Sequence, residues 1–283
     1  YLPECDMQFT KQSAYAPNLF RFESMKLSSR HKRILERLDQ SGTVQVQELS
    51  AEFRVSEVTI RKDLHALEDE GLLHRTHGGA ARVNPYARDR SIREKEGLMA
   101  QEKSWIGRAA AAWIGEHDSV ILASGTTIQA ISRHLRPERP IRVITPSLHV
   151  SLELATRPNA TVHQLGGDLR VSSASVVGPS AEEFLDSVTC GVLFLGVDGI
   201  DVQNGISTTD LAEARLNRAF MRAAQSTVVV ADHTKFGRRG FARIGGLDEV
   251  AHILTDPGLP EDRIREFAEF GVKITTAAAG DGE

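Results

Sequence analysis

The spacing of apolar residues divides the chain into two rhythms. Ile34, Leu35 and Leu38 give one helical stripe from Arg30, with Ser28 or Ser29 as its N-cap and Ser41-Gly42 as its stop. Thr43–Val46 is a short extended piece, and Glu48–Phe53 predicts a second short helix with Leu49 and Phe53 on one face. Ser56 caps a third helix, in which Ile60, Leu64 and Leu67 recur at i, i+4 and i+7 and must face a core. The opposite face of that helix carries Val58, Arg61, Lys62 and His65, with Thr59 on its flank. Gly71 ends it, and residues 72–75 and Gly78-Gly79 can form a two-stranded wing.

Beyond a charged stretch holding Asn84-Pro85, the rhythm changes to short apolar strands alternating with helices. Strands are expected at 119–123, 141–145, 161–165, 191–197, 227–231, 252–255 and 272–275. Helices are expected at 100–114, 127–135, 147–156, 180–186, 211–225 and 261–269. This alternation predicts an α/β domain with a largely parallel sheet. The expected organisation is a disordered extension over 1–24 before a natural start at Met25, and a winged helix-turn-helix over 25–81. A linker over 82–97, an effector-binding and oligomerisation domain over 98–276, and a flexible tail over 277–283 complete it.

Composition narrows the classes. A chain of 283 residues with 41% hydrophobic and 25% charged residues is ordinary for globular protein and suits two domains. No apolar run approaches the roughly 18–20 residues needed to span a bilayer, and no signal-peptide pattern opens the sequence. Cys5 and Cys190 fit neither a disulfide framework nor a metal site, so a cytoplasmic setting without metal or cofactor is expected. The net charge of −4 conceals an asymmetry. Residues 25–93 hold 13 lysines and arginines against 10 carboxylates, whereas residues 94–283 hold 19 against 25. The front half is therefore the better partner for a polyanion.

Three helices followed by a β-wing is the winged helix-turn-helix arrangement, whose last helix enters the major groove of double-stranded DNA. On that helix Arg61 and Lys62 can reach guanine edges or phosphates, beside His65, while Ser56 and Thr59 can bond phosphates near its N-terminus. Arg75 and His77 can follow the backbone from the wing. The competing reading is the solvated face of a small helical bundle. The capped third helix, the short second helix and the Gly-Gly wing together favour DNA.

In open α/β sheets, ligands bind beyond the carboxyl ends of the strands. Ser124-Gly125-Thr126-Thr127 follows the first expected strand and opens a helix, where it either holds a phosphate or simply caps the helix. Thr145 and Ser147 follow the second strand, Gly166 and Gly167 lead to Arg170, and Asp198 stands at a later strand end. Lys235 either neutralises a phosphate or pairs with Asp232 or Asp198. Together these loops suggest one anionic, hydroxyl-rich ligand.

The run SEVTIRKDLHALEDEGLLHRTHGGA resembles the N-terminal signature of DeoR-type bacterial transcription regulators. The match lies at Ser56, Thr59, Ile60, Arg61, Asp63, Leu64, Leu67, Gly71, Arg75, His77, Gly78, Gly79 and Ala80, with Lys62 where the family has arginine. The pieces SGTT, GGDLR, GVDGID and ADHTKFG are similar to that family's effector domain, which is related in fold to ribose-5-phosphate isomerase and glucosamine-6-phosphate deaminase. Ala123 and Pro146 depart from the family's usual aspartate and asparagine. The resemblance implies an oligomeric, non-enzymatic repressor of a carbohydrate operon, binding operator DNA with Met25–Ala80 and responding to a phosphorylated sugar. Two other readings stay open. One is a sugar-phosphate isomerase or deaminase, with Asp198 as base and Glu213 as a further carboxylate. The other is a DNA-binding protein whose second domain only oligomerises.

Overall fold

In a computed structural model the described residues are 28–41, 43–69, 72–76, 78–82, 90–114 and 118–278, apart from the side chains at 39, 40, 74, 81 and 82. The expectations for residues 1–24, Gly42, Gly71, His77 and most of the 277–283 tail lie outside them. The chain divides into two compact units, residues 1–84 and 85–283.

The first unit follows the apolar stripe closely. Its elements are α1 (Ser29–Ser41), β1 (Thr43–Gln45), α2 (Val46–Phe53), α3 (Glu57–Asp69), β2 (Leu73–Thr76) and β3 (Gly79–Arg82). Ser28 caps α1, its hydroxyl accepting from the His31 N–H at 3.2 Å. Helix α2 starts two residues earlier than its periodicity predicts. Val46 is buried, and its N–H donates to the Gly78 carbonyl at 2.9 Å, so the wing fixes where the helix begins. The turn after α2 places Arg54 at φ 54°, the left-handed region that lets the chain reverse into α3. Ile34, Leu38, Leu49, Ile60, Leu64 and Leu67 are essentially inaccessible, each contributing about 1.5–3 kcal/mol of burial.

The wing has three strands rather than two, in the order β1-β3-β2, all antiparallel. Glycine is required at position 79, because a Cβ there would sit 2.1 Å from the Val44 carbonyl oxygen. Gly78, at φ +93°, makes the turn that delivers the chain into that contact. The Gly-Gly pair is thus the means by which β1 joins the wing.

The second unit begins with α4 (Ile92–Glu96) and α5 (Ala100–Ile114). Then come β4 (Ser119–Leu122), α6 (Thr126–His134), β5 (Ile141–Thr145), α7 (Leu148–Leu154) and β6 (Ala160–Gln164). The chain continues through β7 (Asp168–Arg170), β8 (Ser175–Val177), α8 (Pro179–Leu185), β9 (Val192–Gly196), β10 (Gly199–Asp201), β11 (Gly205–Thr208) and α9 (Leu211–Ala223). It closes with β12 (Thr227–Val230), β13 (Ala242–Gly245), β14 (His252–Thr255), α10 (Glu261–Glu269) and β15 (Lys273–Thr276).

Seven strands form one wholly parallel sheet in the order β15-β14-β12-β9-β4-β5-β6. Both faces are covered, as continuous apolar strands require. Ile121, Leu193 and Val229 pack on one side with Leu185, Phe220 and Phe267; Val120, Phe194 and Val228 pack on the other with Ile106, Ile128 and Val150. The chain winds outward from β4 to β5 and β6, then returns and winds the other way from β9. The boundary between β4 and β9 is therefore the topological switch point, where such sheets open a crevice.

Three features depart from the sequence reading. Strands β7 and β8 form an antiparallel hairpin, and β10, β11 and β13 form a small antiparallel sheet. These strands are three or four residues long, too short for a period to register. The third departure is at 82–97. Its last part is helix α4, opened by a capping box in which Ser91 accepts from the Glu94 N–H and Glu94 accepts from the Ser91 N–H.

Candidate functional site

Helix α3 sorts the residues of its basic motif by face. Arg61, Lys62 and His65 are exposed, as is Ser56, and Thr59 is half-buried. Asp63, between the basic pair and Leu64, turns inward instead. Its carboxylate accepts from the Arg30 guanidinium at 2.5 and 3.0 Å and lies 3.2 Å from His31 Nε2, which ties α3 to α1. Burial alone would raise its pKa, but the hydrogen bonds from Arg30 and His31 outweigh that and hold it below the ordinary carboxylate value. Asp63 is therefore a positioning residue for the helix.

On the outward face, Ser56 Oγ accepts from the Thr59 N–H at 3.2 Å and lies 2.9 Å from Thr59 Oγ1, which caps α3. Arg61 is held by Glu57, one turn back, at 2.6 Å, and His65 lies 3.7 Å from Asp69. Arg75 is exposed on β2, its N–H donating to Glu68 at 2.9 Å. Val58, 60% exposed beside Arg61 and Lys62, is an apolar group of the kind that meets a thymine methyl.

In the second unit, residues from five distant stretches converge at the switch point. Ser124 follows β4 and Asp198 follows β9, as predicted. Asp198 meets Lys95 Nζ at 3.0 Å, Lys235 Nζ at 3.7 Å and Thr208 Oγ1 at 3.2 Å. Thr208 also bonds Glu213 at 3.0 Å, and Glu213 accepts from Ser124 Oγ at 3.2 Å. Arg170 closes the ring, lying 3.4 Å from Glu213 and 3.8 Å from Asp210. Of the two pairings open for Lys235, the one with Asp198 is formed.

The site is electrically polar. Two ammonium groups share the Asp198 carboxylate at one end, whereas two carboxylates share Arg170 at the other. Burial opposes the charge of Asp198, yet Lys95 and Lys235 hold its carboxyl far below the usual range. Burial, reinforced by the charge of Asp198, pushes Glu213 up. Burial pulls Lys235 below the ordinary lysine value, with Asp198 and Asp232 opposing. Lys103, behind the site on α5, falls to about 8 because of burial, and its Nζ donates to the carbonyls of Lys95 and Leu98 at 2.7 and 2.5 Å.

The remaining predicted residues divide. Gly125, at φ +115°, starts α6, and a Cβ there would meet open space; Thr126 and Thr127 are buried behind it. Thr145 and Ser147 are fully buried with their hydroxyls engaged locally, Thr145 Oγ1 by the Ser147 N–H and Ser147 Oγ by the Val150 N–H. That is a helix cap. Gly167, at φ +146°, lets β7 meet β8, since a Cβ would lie 2.5 Å from the Val177 carbonyl; Gly166 precedes it with open space around its Cβ position. These glycines shape the hairpin that aims Arg170. Lys95 and Thr208 are the members that motif reading did not assign, and Glu213 entered it only as a further carboxylate beside Asp198. Lys95 stood in apparent linker, and the other two lie within a strand and a helix.

Comparisons with known proteins agree across both units. Residues 30–85 match the DeoR-like helix-turn-helix domain, and residues 98–257 match the DeoR C terminal sensor domain. The HTH-type transcriptional regulator GlpR of Haloferax volcanii is 34% identical, over 89% of this chain and 98% of its own length. The glycerol-3-phosphate regulon repressor of Escherichia coli K12 is 32% identical, over 88% of this chain and 99% of its own. A solved ribose 5-phosphate isomerase from Methanocaldococcus jannaschii aligns with 47% of this chain and 53% of its own at 15% identity, with a TM-score of 0.34, too loosely to carry an argument.

Proposed function

The chain belongs to the DeoR family of DNA-binding transcriptional regulators, and on that premise we propose that it represses a carbohydrate operon and responds to a phosphorylated sugar or polyol. Ser56, Thr59, Arg61, Lys62, His65 and Arg75 are the DNA contacts in this reading, with Val58 on a thymine methyl. The observation that carries the ligand reading is the polarity of the switch-point site. Its lysine end suits a phosphate, and the Ser124, Thr208 and Glu213 end suits hydroxyls. The name of the relative in Escherichia coli supports a small phosphorylated polyol as the class. Operator binding changes because the ligand prefers one arrangement of the protein over another.

Relatives named as regulators support this over catalysis by the same carboxylates. Self-association belongs to the same reading, and a chromosomal partner implies a cytoplasmic site of action. The test is gel retardation with the upstream region of a neighbouring carbohydrate operon, against glycerol 3-phosphate and a panel of sugar phosphates. One panel member should release the DNA and raise Tm without turnover. Turnover would favour an isomerase, and the absence of any response would leave only oligomerisation for the second unit.

A further inference from the structure

The carboxyl ends of β12 and β14 hold a second charged contact, on the far side of β12 from the switch point. Asp256, just after β14, has a side chain only 1% exposed, and its carboxylate is fully engaged. One oxygen accepts from the His233 N–H at 2.7 Å. The other accepts from the Gly258 N–H at 2.9 Å and lies 2.7 Å from His233 Nδ1. An ionised carboxylate only accepts, so Nδ1 keeps its proton, and the proton that comes and goes is the one on Nε2. The His233 side chain is 29% exposed, enough for that exchange with solvent. Space for the ring exists because residue 258 is glycine: a Cβ there would lie 2.4 Å from Nδ1 and 2.7 Å from the Asp256 carboxylate. His233 also opens the 3₁₀ turn His233–Lys235, which Asp232 caps by accepting from the Thr234 N–H at 3.0 Å and from the Thr234 hydroxyl. One contact therefore fastens the loop between β14 and α10 to a turn that ends on Lys235.

The charged groups around the ring come from three elements: Asp256 in that loop, Asp232 in the ring's own turn and Glu102 on α5. The hydrogen bond to Asp256 raises the His233 pKa above the ordinary histidine value; burial opposes it, and the three carboxylates reinforce it. Burial alone would raise Asp256, but the hydrogen bonds from His233 and Gly258 hold it below the usual carboxylate range. Lys103 on α5 and Lys235 are the cations that share Asp232. We propose that His233 is a proton-operated clamp of the second unit. With its ring charged, it neutralises the buried Asp256 and locks the β14–α10 loop onto the 233–235 turn. With its ring neutral, Asp256 is left as a buried anion among neutral donors, and loop and turn loosen together. The clamp works whatever the switch-point site binds. Its sign is fixed by the direction of the histidine shift: the stabilisation is complete below the unfolded value near 6.5 and is lost as pH rises through the higher folded value. That window lies where histidine charge responds to physiological pH.

The full-length protein with ¹⁵N-labelled histidine rings tests this by NMR titration from about pH 5.5 to 9. The His233 signals are those missing from H233Q. Their midpoint should lie above about 6.5, and the neutral form should carry its proton on Nδ1. D256N should bring the midpoint down to the ordinary value or below. H233Q keeps a neutral donor that does not titrate, so it carries the test if D256N fails to fold. In urea, the wild-type transition of the second unit should weaken as pH rises through the His233 midpoint. Each pH unit separating that midpoint from 6.5 is about a tenfold change in the folding equilibrium. H233Q should match the wild type at high pH and lack its gain at low pH. Amide protection at His233 and Gly258, corrected for intrinsic exchange, should fall about threefold or more across the same midpoint in the wild type alone. A midpoint at or below 6.5, a neutral ring protonated on Nε2, or the same pH profile in wild type and H233Q would overturn the clamp.

Discussion

The two charged regions of this protein are built on opposite principles. On α3, Arg61 and Glu57 form a pair whose side chains are 51% and 40% exposed, and Lys62 projects freely. At the switch point, Asp198, Glu213, Lys95, Lys235 and Arg170 interlock with side-chain exposures between 11% and 26%. Exposed pairs are worth little and exchange partners easily, as a surface that must accept a DNA backbone requires. Buried, interlocked charges are expensive to leave unmatched, and a site built from them responds sharply to one added or removed charge. The contrast is between a face whose charges can rearrange around a partner and a site whose charges are fixed before one arrives.

The largest expected effect breaks the second region. Asp198→Asn leaves two half-buried ammonium groups without their carboxylate and should cost about 3 kcal/mol or more of stability. Urea denaturation of the full chain checks it, with the loss falling on the transition of residues 98–276. Added phosphate should recover much of the loss. A change below about 0.5 kcal/mol would mean the charges are as loosely held as those on α3.

Next in size is the one charge of the first unit that obeys the rule of the second. Asp63→Asn removes the carboxylate between Arg30 and His31 and should cost about 1.5–3 kcal/mol. The sign of its pH dependence follows from the depressed pKa. Its stabilisation is present at neutral pH, begins to fade as pH falls toward the unfolded value near 4, and vanishes below the folded value. Acid titration of the first unit's circular dichroism should therefore show a loss below about pH 4 that the variant lacks.

Legibility in the sequence follows the same division. The first unit is read from contiguous positions, because Ile60, Leu64 and Leu67 set a period and Arg61 and Lys62 occupy its complement. Even there, the third strand of the wing escaped, since it depends on Gly79 meeting Val44 across a turn. The switch-point site joins residues 95, 124, 170, 198, 208, 213 and 235; Ser124, Arg170, Asp198 and Lys235 carried a motif signal, and Glu213 only that of a further carboxylate. The turn between β10 and β11 went unread although Asn204-Gly205 is a hairpin-type pair, with Gly205 at φ +74°. Lys95 carried no signal. Its role arises from a five-residue helix pinned by tertiary contacts, beyond the reach of a period.

A smaller effect sharpens the first region. Arg61→Ala should cost about 1–3 kcal/mol of operator affinity and relax sequence preference at one base position. Lys62→Ala should weaken operator and unrelated DNA alike and lower the salt slope by about one. If both variants behaved alike, α3 would hold only phosphates and specificity would lie in the wing.

The smallest expected effect tests whether the α3 charges are as free as their exposure implies. Glu57 holds Arg61 at 2.6 Å, one turn back on the same face of the helix. To touch a guanine or a phosphate, Arg61 must leave that carboxylate, and a nearby negative charge also repels the DNA backbone. Glu57→Ala removes both obstacles and one weak pair. Helix stability should fall by no more than about 0.5 kcal/mol, because exposed i,i+4 pairs contribute only that much. Operator affinity should rise, by about two- to fivefold at low salt and less at high salt, since the repulsion removed is screened. Binding isotherms at two salt concentrations read this directly. A loss of affinity instead would mean that Glu57 preorganises Arg61 for its contact. The first region would then work as the second does, by holding charge in place before its partner arrives.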